Sequence, residues 1–101
     1  MTKAAVFFYV IIIDNFTKMN IRKNATIIDV RSPGEFAGQH FPGAINIPLP
    51  EVANRIDEIK KMQKPIVAYC RSGNRSGMAV AILKQNGVME ARNGGGIDEM
   101  L

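Results

Sequence analysis

The chain holds a single cysteine, Cys70, and five residues follow it that change what a thiol can do: Arg71, Ser72, Gly73, Asn74 and Arg75. The apolar run Pro65 to Cys70 reads as a strand, and the residues after Arg75 read as a helix. The pentapeptide is therefore a strand-to-helix turn, where several backbone N–H groups can converge into a cradle for an anion. Gly73 stands where a side chain would most obstruct that backbone path. A thiolate held among N–H donors, at a helix start and near arginine charge, is stabilised against its neutral form, and cysteines so placed ionise at about pH 3.5 to 7.5. Cys70 is thus expected to be a nucleophile that is largely ionised near neutral pH. An isolated cysteine closing an apolar run can also be a small packing residue, but two arginines and a glycine in the next five positions point to chemistry.

The positioning elements can be read from the rest of the chain. Of its 101 residues 47% are apolar and 22% charged, which suits one folded domain. Short apolar runs alternate with helical patterns, as in a parallel α/β sheet. Strands are expected at Ala25–Val30, Ala44–Leu49 and Pro65–Cys70, with a short last one near Val88–Ala91. In Leu49–Gln63, Val52, Ile56, Ile59 and Met62 recur at spacings of four and three and share one face. Glu51 with Arg55 and Asp57 with Lys61 would pair on the solvated face. The segment from Arg75 to Gly87 is apolar almost all round between Met78 and Leu83 and is expected to be among the most buried helices. Gly87 would cap its end, and Asn93–Met100 would be a glycine-rich turn leading into a short terminal helix. In such a sheet, ligand sites lie beyond the carboxyl ends of the strands, where Cys70 falls.

Several functions are disfavoured. The net charge is +4, but the basic residues are scattered and no aromatic stacking motif accompanies them, so nucleic-acid binding is not expected. One cysteine and one histidine, His40, are too few for a metal site, and no cofactor is called for. A lone cysteine has no internal disulfide partner, and a reducing, cytoplasmic setting is the natural reading. The segment 1–20 stands apart from a domain spanning 21–101. Its apolar run Ala4–Ile13 follows Lys3 as an export signal would, yet it is shorter than the roughly 18 to 20 residues that span a bilayer and no small-residue cleavage site follows. A buried strand is preferred to membrane contact there. Between Asp14 and Asn24 a short helix could turn Phe16, Met19 and Ile21 inward.

Asp29 to Leu49, reading DVRSPGEFAGQHFPGAINIPL, together with YCRSGNRS at Tyr69–Ser76, resembles the single-domain rhodanese-like sulfurtransferases. The resemblance runs from about Ala25 to the C-terminus and implies a three-layer α/β fold with a central, mainly parallel sheet flanked by helices. It implies that Cys70 is the sulfur-accepting nucleophile and that Arg71, Ser72, Gly73, Asn74 and Arg75 are the rest of its loop. It also implies that Asp29 and Arg31 lie at the end of the neighbouring strand, that Glu35, His40, Pro42 and Gly43 support a turn, and that Gly95 and Gly96 are the family's double glycine. Two departures stand out: Gln39 precedes His40 where the family usually has glycine, and Ile97 occupies a place often held by tryptophan.

The activity implied is transfer of a sulfane sulfur from thiosulfate or a persulfide to a thiol, cyanide or a sulfur-accepting protein, through a persulfide on Cys70. With no second cysteine, disulfide exchange of the thioredoxin kind is not expected. Arg71 would attract an anionic donor, Arg75 would orient the loop and pair with a carboxylate, and Asp29 would accept hydrogen bonds rather than carry a proton. A sulfur-carrier or binding module with little turnover is the nearest alternative. Phosphatase chemistry, found on the same fold, uses H-C-x5-R; here Tyr69 precedes the cysteine and C-x4-R ends at Arg75, a tighter loop that favours a sulfur-sized guest.

Overall fold

A computed structural model describes residues 24–101. The segment Ala4–Ile13, the expected inward face of Phe16, Met19 and Ile21, and the boundary near residue 20 all lie outside them. The described chain runs β1 (Thr26–Asp29), α1 (Pro33–Gly38), β2 (Ile45–Asn46), α2 (Leu49–Val52), a 3-10 turn (Ala53–Arg55), α3 (Ile56–Lys60), β3 (Ile66–Cys70), α4 (Asn74–Gln85), β4 (Ala91–Gly96) and α5 (Ile97–Met100). The strands form one sheet in the order β2-β1-β3-β4, and every pairing is parallel.

Strand β3 is central and buried along its whole length, which is why Ile66–Cys70 is a continuous apolar run rather than an alternating one. Its side chains still alternate between faces. Ile66, Ala68 and Cys70 join Ile28, Val30, Val52, Ile56, Ile59, Ala79 and Leu83 in the larger core, on the side of α2 to α4. Val67 and Tyr69 point the other way, to Ile27, Phe41 and Ile97. The cysteine thus ends the middle strand of a sheet covered on both sides, as the α/β reading requires.

Three local expectations are corrected. The strand expected at Ala44–Leu49 is registered only at Ile45–Asn46, because Pro48 has no N–H to donate and Leu49 already opens α2. Ile47 and Leu49 nevertheless continue the bonding, donating at 3.0 Å to the carbonyls of Asp29 and Val30. The last strand is Ala91–Gly96, not Val88–Ala91, so the glycines expected in a turn lie in the sheet. Backbone pairing with β3 overrides the poor strand propensity of glycine. The register slips between Ala68 opposite Asn93 and Tyr69 opposite Gly95, leaving Gly94 as the extra residue of a bulge. Helix α4 buries only the stripe Ser76, Ala79 and Leu83, and Met78 is 59% exposed. One layer of helix offers one stripe to the sheet, and nothing among the described residues covers its outer side.

The segment Leu49–Gln63 keeps its apolar face, with Val52, Ile56 and Ile59 buried, although the 3-10 turn divides the helix in two. On the outer face Arg55 bonds Glu58 at 2.9 Å and lies 3.9 Å from Glu51, while Asp57 and Lys61 do not pair. No helix among the described residues is long and apolar enough to cross a membrane.

Candidate active site

The sulfur is held by the turn that leaves β3. Gly73 takes φ +99°, a left-handed conformation that glycine adopts without strain, and this folds the loop back so that its N–H donates to Cys70 Sγ at 3.0 Å. The N–H groups of Ser72 and Ser76 also point to the sulfur, and Ser76 Oγ lies 3.4 Å from it. Cys70 is 1% exposed. Burial by itself pushes the thiol up, but the Ser76 hydroxyl and the three N–H groups outweigh it and bring Cys70 down from 9.0 to about 7. The cradle is therefore built from backbone and serine dipoles. Arginine charge has a lesser part than the sequence suggests, because Arg75 is already engaged: its guanidinium forms a two-pronged pair with Glu35 at 2.8 and 3.1 Å.

Glu35 ties two elements together. Ser32 caps α1 by accepting from the Glu35 N–H at 3.2 Å, and the Glu35 carboxylate returns to the Ser32 N–H, a reciprocal box that fixes the start of the helix. The same carboxylate reaches Arg75 on α4. The hydrogen bond from Arg75 is the main reason Glu35 is held down at about 2.

A second ion pair, this one buried, lies at the end of β1. Arg31 donates from Nε and Nη2 to the Asp29 carboxylate at 2.7 to 3.1 Å, and from Nη2 to the Gln39 carbonyl at 2.6 Å. Tyr69, next to the cysteine but on the other face, donates its hydroxyl to Asp29 at 2.8 Å and accepts the Phe41 N–H at 2.9 Å. Burial first, then the bond to Asp29, raises the Tyr69 phenol above its ordinary value. Gln39 is extended at φ −166°, which any residue adopts, so glycine is not required before His40. His40 is exposed, stacks on Phe36 with centroids 3.8 Å apart and bonds the Phe36 carbonyl through Nδ1 at 2.8 Å. Pro42 and Gly43 lie in the turn that follows, with Gly43 at φ +84°.

A cleft of about 690 Å³ opens over the loop, lined by Arg31, Glu35, Arg71, Ser72, Ile97 and Asp98. Arg31 and Glu35 are each spoken for by an ion pair, which leaves Arg71 as the cleft's unpaired cation among the described residues. Ile97 supplies an apolar wall in the place where tryptophan is common. Asn74 opens α4 and is exposed. Among the described residues no group of three His, Cys, Asp or Glu side chains could hold a metal ion.

The loop also rests on β4. A Cβ on Gly96 would run into the Arg71 carbonyl, and one on Gly95 would come within 2.8 Å of the Glu99 carboxylate. The first neighbour is backbone and cannot swing aside. Gly96→Ala is therefore expected to cost about 1 to 3 kcal/mol in overpacking and to push the Arg71–Gly73 turn away from the sulfur. Chemical denaturation, together with the alkylation rate of Cys70, measures both effects.

Three residues of the site escape sequence reasoning: Ser76, Asn93 and Tyr69. Ser76 reads as an ordinary first-turn helix residue and Tyr69 as strand core. Asn93 sits beside three glycines and reads as turn. Once the glycine-rich segment is in the sheet, Asn93 falls on the same face as Ala91, toward α4, and its Oδ1 lies 2.7 Å from Ser76 Oγ.

The chain is similar to known proteins over most of its length. The rhodanese-like domain profile matches residues 13–99. The chain is 45% identical over 71 residues to the uncharacterized protein YqhL of Bacillus subtilis, an alignment covering 70% of this chain and 56% of that one. It is 39% identical over 74 residues to the thiosulfate sulfurtransferase PspE of Escherichia coli, covering 72% and 71% respectively. A solved structure described as a rhodanese with anions from E. coli superposes with a TM-score of 0.68 at 38% identity, over 74% of this chain and 89% of that one.

Proposed function

Because the chain belongs to the rhodanese-like domain family, whose members include sulfurtransferases, we propose that it moves a sulfane sulfur from thiosulfate or a persulfide donor to a thiol or cyanide acceptor through Cys70. The observation that carries this reading is the buried Cys70 sulfur, surrounded by three N–H groups and a hydroxyl and brought down to about 7.

The cycle has two displacements. The Cys70 thiolate attacks the outer sulfur of thiosulfate, a new S–S bond forms, and the old one breaks as sulfite leaves with its electron pair. The acceptor, a thiolate or cyanide, then attacks the terminal sulfur of the Cys70 persulfide, and the bond that breaks returns its electron pair to Cys70. Charge is conserved in each step. The N–H groups of Ser72, Gly73 and Ser76 stabilise the sulfur anion, and Arg71 draws the anionic donor into the cleft. Asp29 and Arg31 act by holding the end of β1. Since Cys70 is enclosed by its loop, the end of a narrow group, such as a terminal sulfur, is what can reach it.

Mass spectrometry tests the reading directly. Treatment with thiosulfate or another sulfane donor is expected to add one sulfur atom to the protein, and cyanide is expected to remove it. No adduct with any sulfane donor would overturn sulfur transfer. Loading without steady turnover would mark a sulfur carrier, and hydrolysis of an aryl phosphate would mark a phosphatase. The reading places the protein in a reducing compartment such as the cytoplasm, where a lone thiol stays free; recovery of the full chain in exported or membrane fractions would overturn that placement.

The pH dependence follows from the thiol. Only the thiolate reacts, so the loading rate should rise with pH through about 7 and level off above it. Glu35, held at about 2, keeps its pair with Arg75 throughout that window, so the midpoint reports Cys70. Stopped-flow loading rates between pH 5 and 9 give the profile, and a midpoint near the ordinary thiol value of 9.0 would contradict the cradle.

A further inference from the structure

Ser76 and Asn93 form a hydrogen-bond chain that ends on the sulfur, and the direction of each bond can be worked out. Asn93 Nδ2 donates to the Gly73 carbonyl at 3.0 Å, and Asn93 Oδ1 accepts from the Gly95 N–H at 2.9 Å. These two backbone partners fix the amide, since flipping it would set N–H against N–H and oxygen against oxygen. Ser76 Oγ lies 2.7 Å from Asn93 Oδ1. That oxygen only accepts, so the one proton of the Ser76 hydroxyl points to Asn93, and a lone pair of Oγ faces Cys70 Sγ at 3.4 Å. The arrangement suits a thiol, whose S–H can donate to Oγ. It does not suit a thiolate, which has no proton to give. Ser76 is fully buried, so bulk water does not replace the missing donor.

We propose that the Ser76 hydroxyl is a rotating switch that follows the charge of Cys70, directed to Asn93 while the sulfur is protonated and turned onto the sulfur when it is ionised. Ser76 is then a positioning residue for the nucleophile, and Asn93 is the resting partner of its hydroxyl. On ionisation the thiol proton leaves to solvent, while Ser76 keeps its own proton and changes only a torsion. Asn93 Oδ1 stays satisfied because the Gly95 N–H remains on it. The same amide clamps Gly73, so the switch turns without releasing the loop. The charged groups nearest the thiol are the Arg75–Glu35 and Arg31–Asp29 pairs, Arg71 on the loop, and Asp98 and Glu99 on α5; Tyr69 and Arg92 belong to the opposite face of the sheet, and Lys84 to the far end of α4. A change at Ser76 alters none of them.

The proposal takes Cys70 as the reacting group, as above, but its test needs no sulfur donor, so it can fail while sulfur transfer stands, and the reverse. Alkylation of the single thiol by iodoacetamide is followed against pH in the full chain. Ser76→Ala is expected to raise the midpoint by about one unit, which lowers the thiolate fraction at pH 7 about fivefold, while the more basic thiolate lifts the high-pH plateau about two- to threefold. Ser76→Thr keeps the hydroxyl and should hold the midpoint within about 0.3 unit of the original. In the unaltered protein, the Gly95 amide resonance should shift with the same midpoint as the thiol, because its acceptor loses the competing hydroxyl. An unchanged midpoint in Ser76→Ala, a midpoint in Ser76→Thr raised as far as in the Ala variant, or a flat Gly95 resonance would each overturn the switch. Should Ser76→Ala fail to fold, the Thr variant and the Gly95 titration decide the matter.

Discussion

Cys70→Ser should abolish loading of sulfur and lower transfer from thiosulfate by more than about 10³-fold, since losing the nucleophile of a covalent cycle leaves only binding and positioning. A serine hydroxyl is not ionised near neutral pH, and no other thiol in the chain can take over. The variant should fold as before. The hydroxyl is close in size to the thiol, and the Gly73 N–H and the Ser76 hydroxyl remain as partners for a buried polar atom. Mass spectrometry after thiosulfate treatment reads the chemistry and thermal unfolding reads the fold. An adduct that survives the substitution would place the sulfur on another residue and remove Cys70 from the mechanism.

The largest stability effect is expected at Asp29. Its side chain is fully buried and that of Arg31 is 7% exposed, with two guanidinium nitrogens on one carboxylate. Asp29→Ala would leave the Arg31 charge with no carboxylate, only the Gln39 carbonyl and the face of the Tyr69 ring, and the Tyr69 hydroxyl without its acceptor. Removing one partner of a buried pair costs about 3 to 5 kcal/mol, a large share of the roughly 5 to 15 that holds a domain together. Urea unfolding measures the loss. Replacing both partners by apolar residues of similar volume should recover much of it, because no charge is then stranded. A different role would leave a different trace. If Asp29 carried a proton in the reaction, Asp29→Asn would stop turnover while leaving the thiol profile and the melting curve alone; as an anchor, it should weaken the fold and shift activity only as far as the loop moves.

Much of this site was legible from residue types. Cysteine, then glycine at the third following position, between an apolar run and a helix start, is enough to place a thiol in an N–H cradle, since any strand-to-helix turn presents unpaired donors. The apolar faces of Leu49–Gln63 and the central strand were readable because burial follows periodicity. The partner of Arg75 was not. That a carboxylate meets it could be anticipated, but that it is Glu35, 40 positions away, depends on α1 and α4 meeting over the cleft. Glycines misled in β4, where local propensity argues for a turn and pairing with β3 prevails.

The place of the thiol at a strand-to-helix turn, the glycine of its loop and the alternating α/β order are readable from residue types, because they depend on contacts within a few residues of each other. The tertiary structure alone decided what tunes the thiol. Arginine charge is the evident candidate in the sequence, yet Arg75 is paired with Glu35 of α1 and Arg31 with Asp29 of β1, and of the three only Arg71 faces the cleft without such a pair. The work falls instead to backbone N–H groups and to Ser76, whose hydroxyl stands between Cys70 on β3 and Asn93 on β4. A hydrogen bond's direction depends on the whole set of partners, and those partners come from β3, α4 and β4, which only the folded sheet brings together.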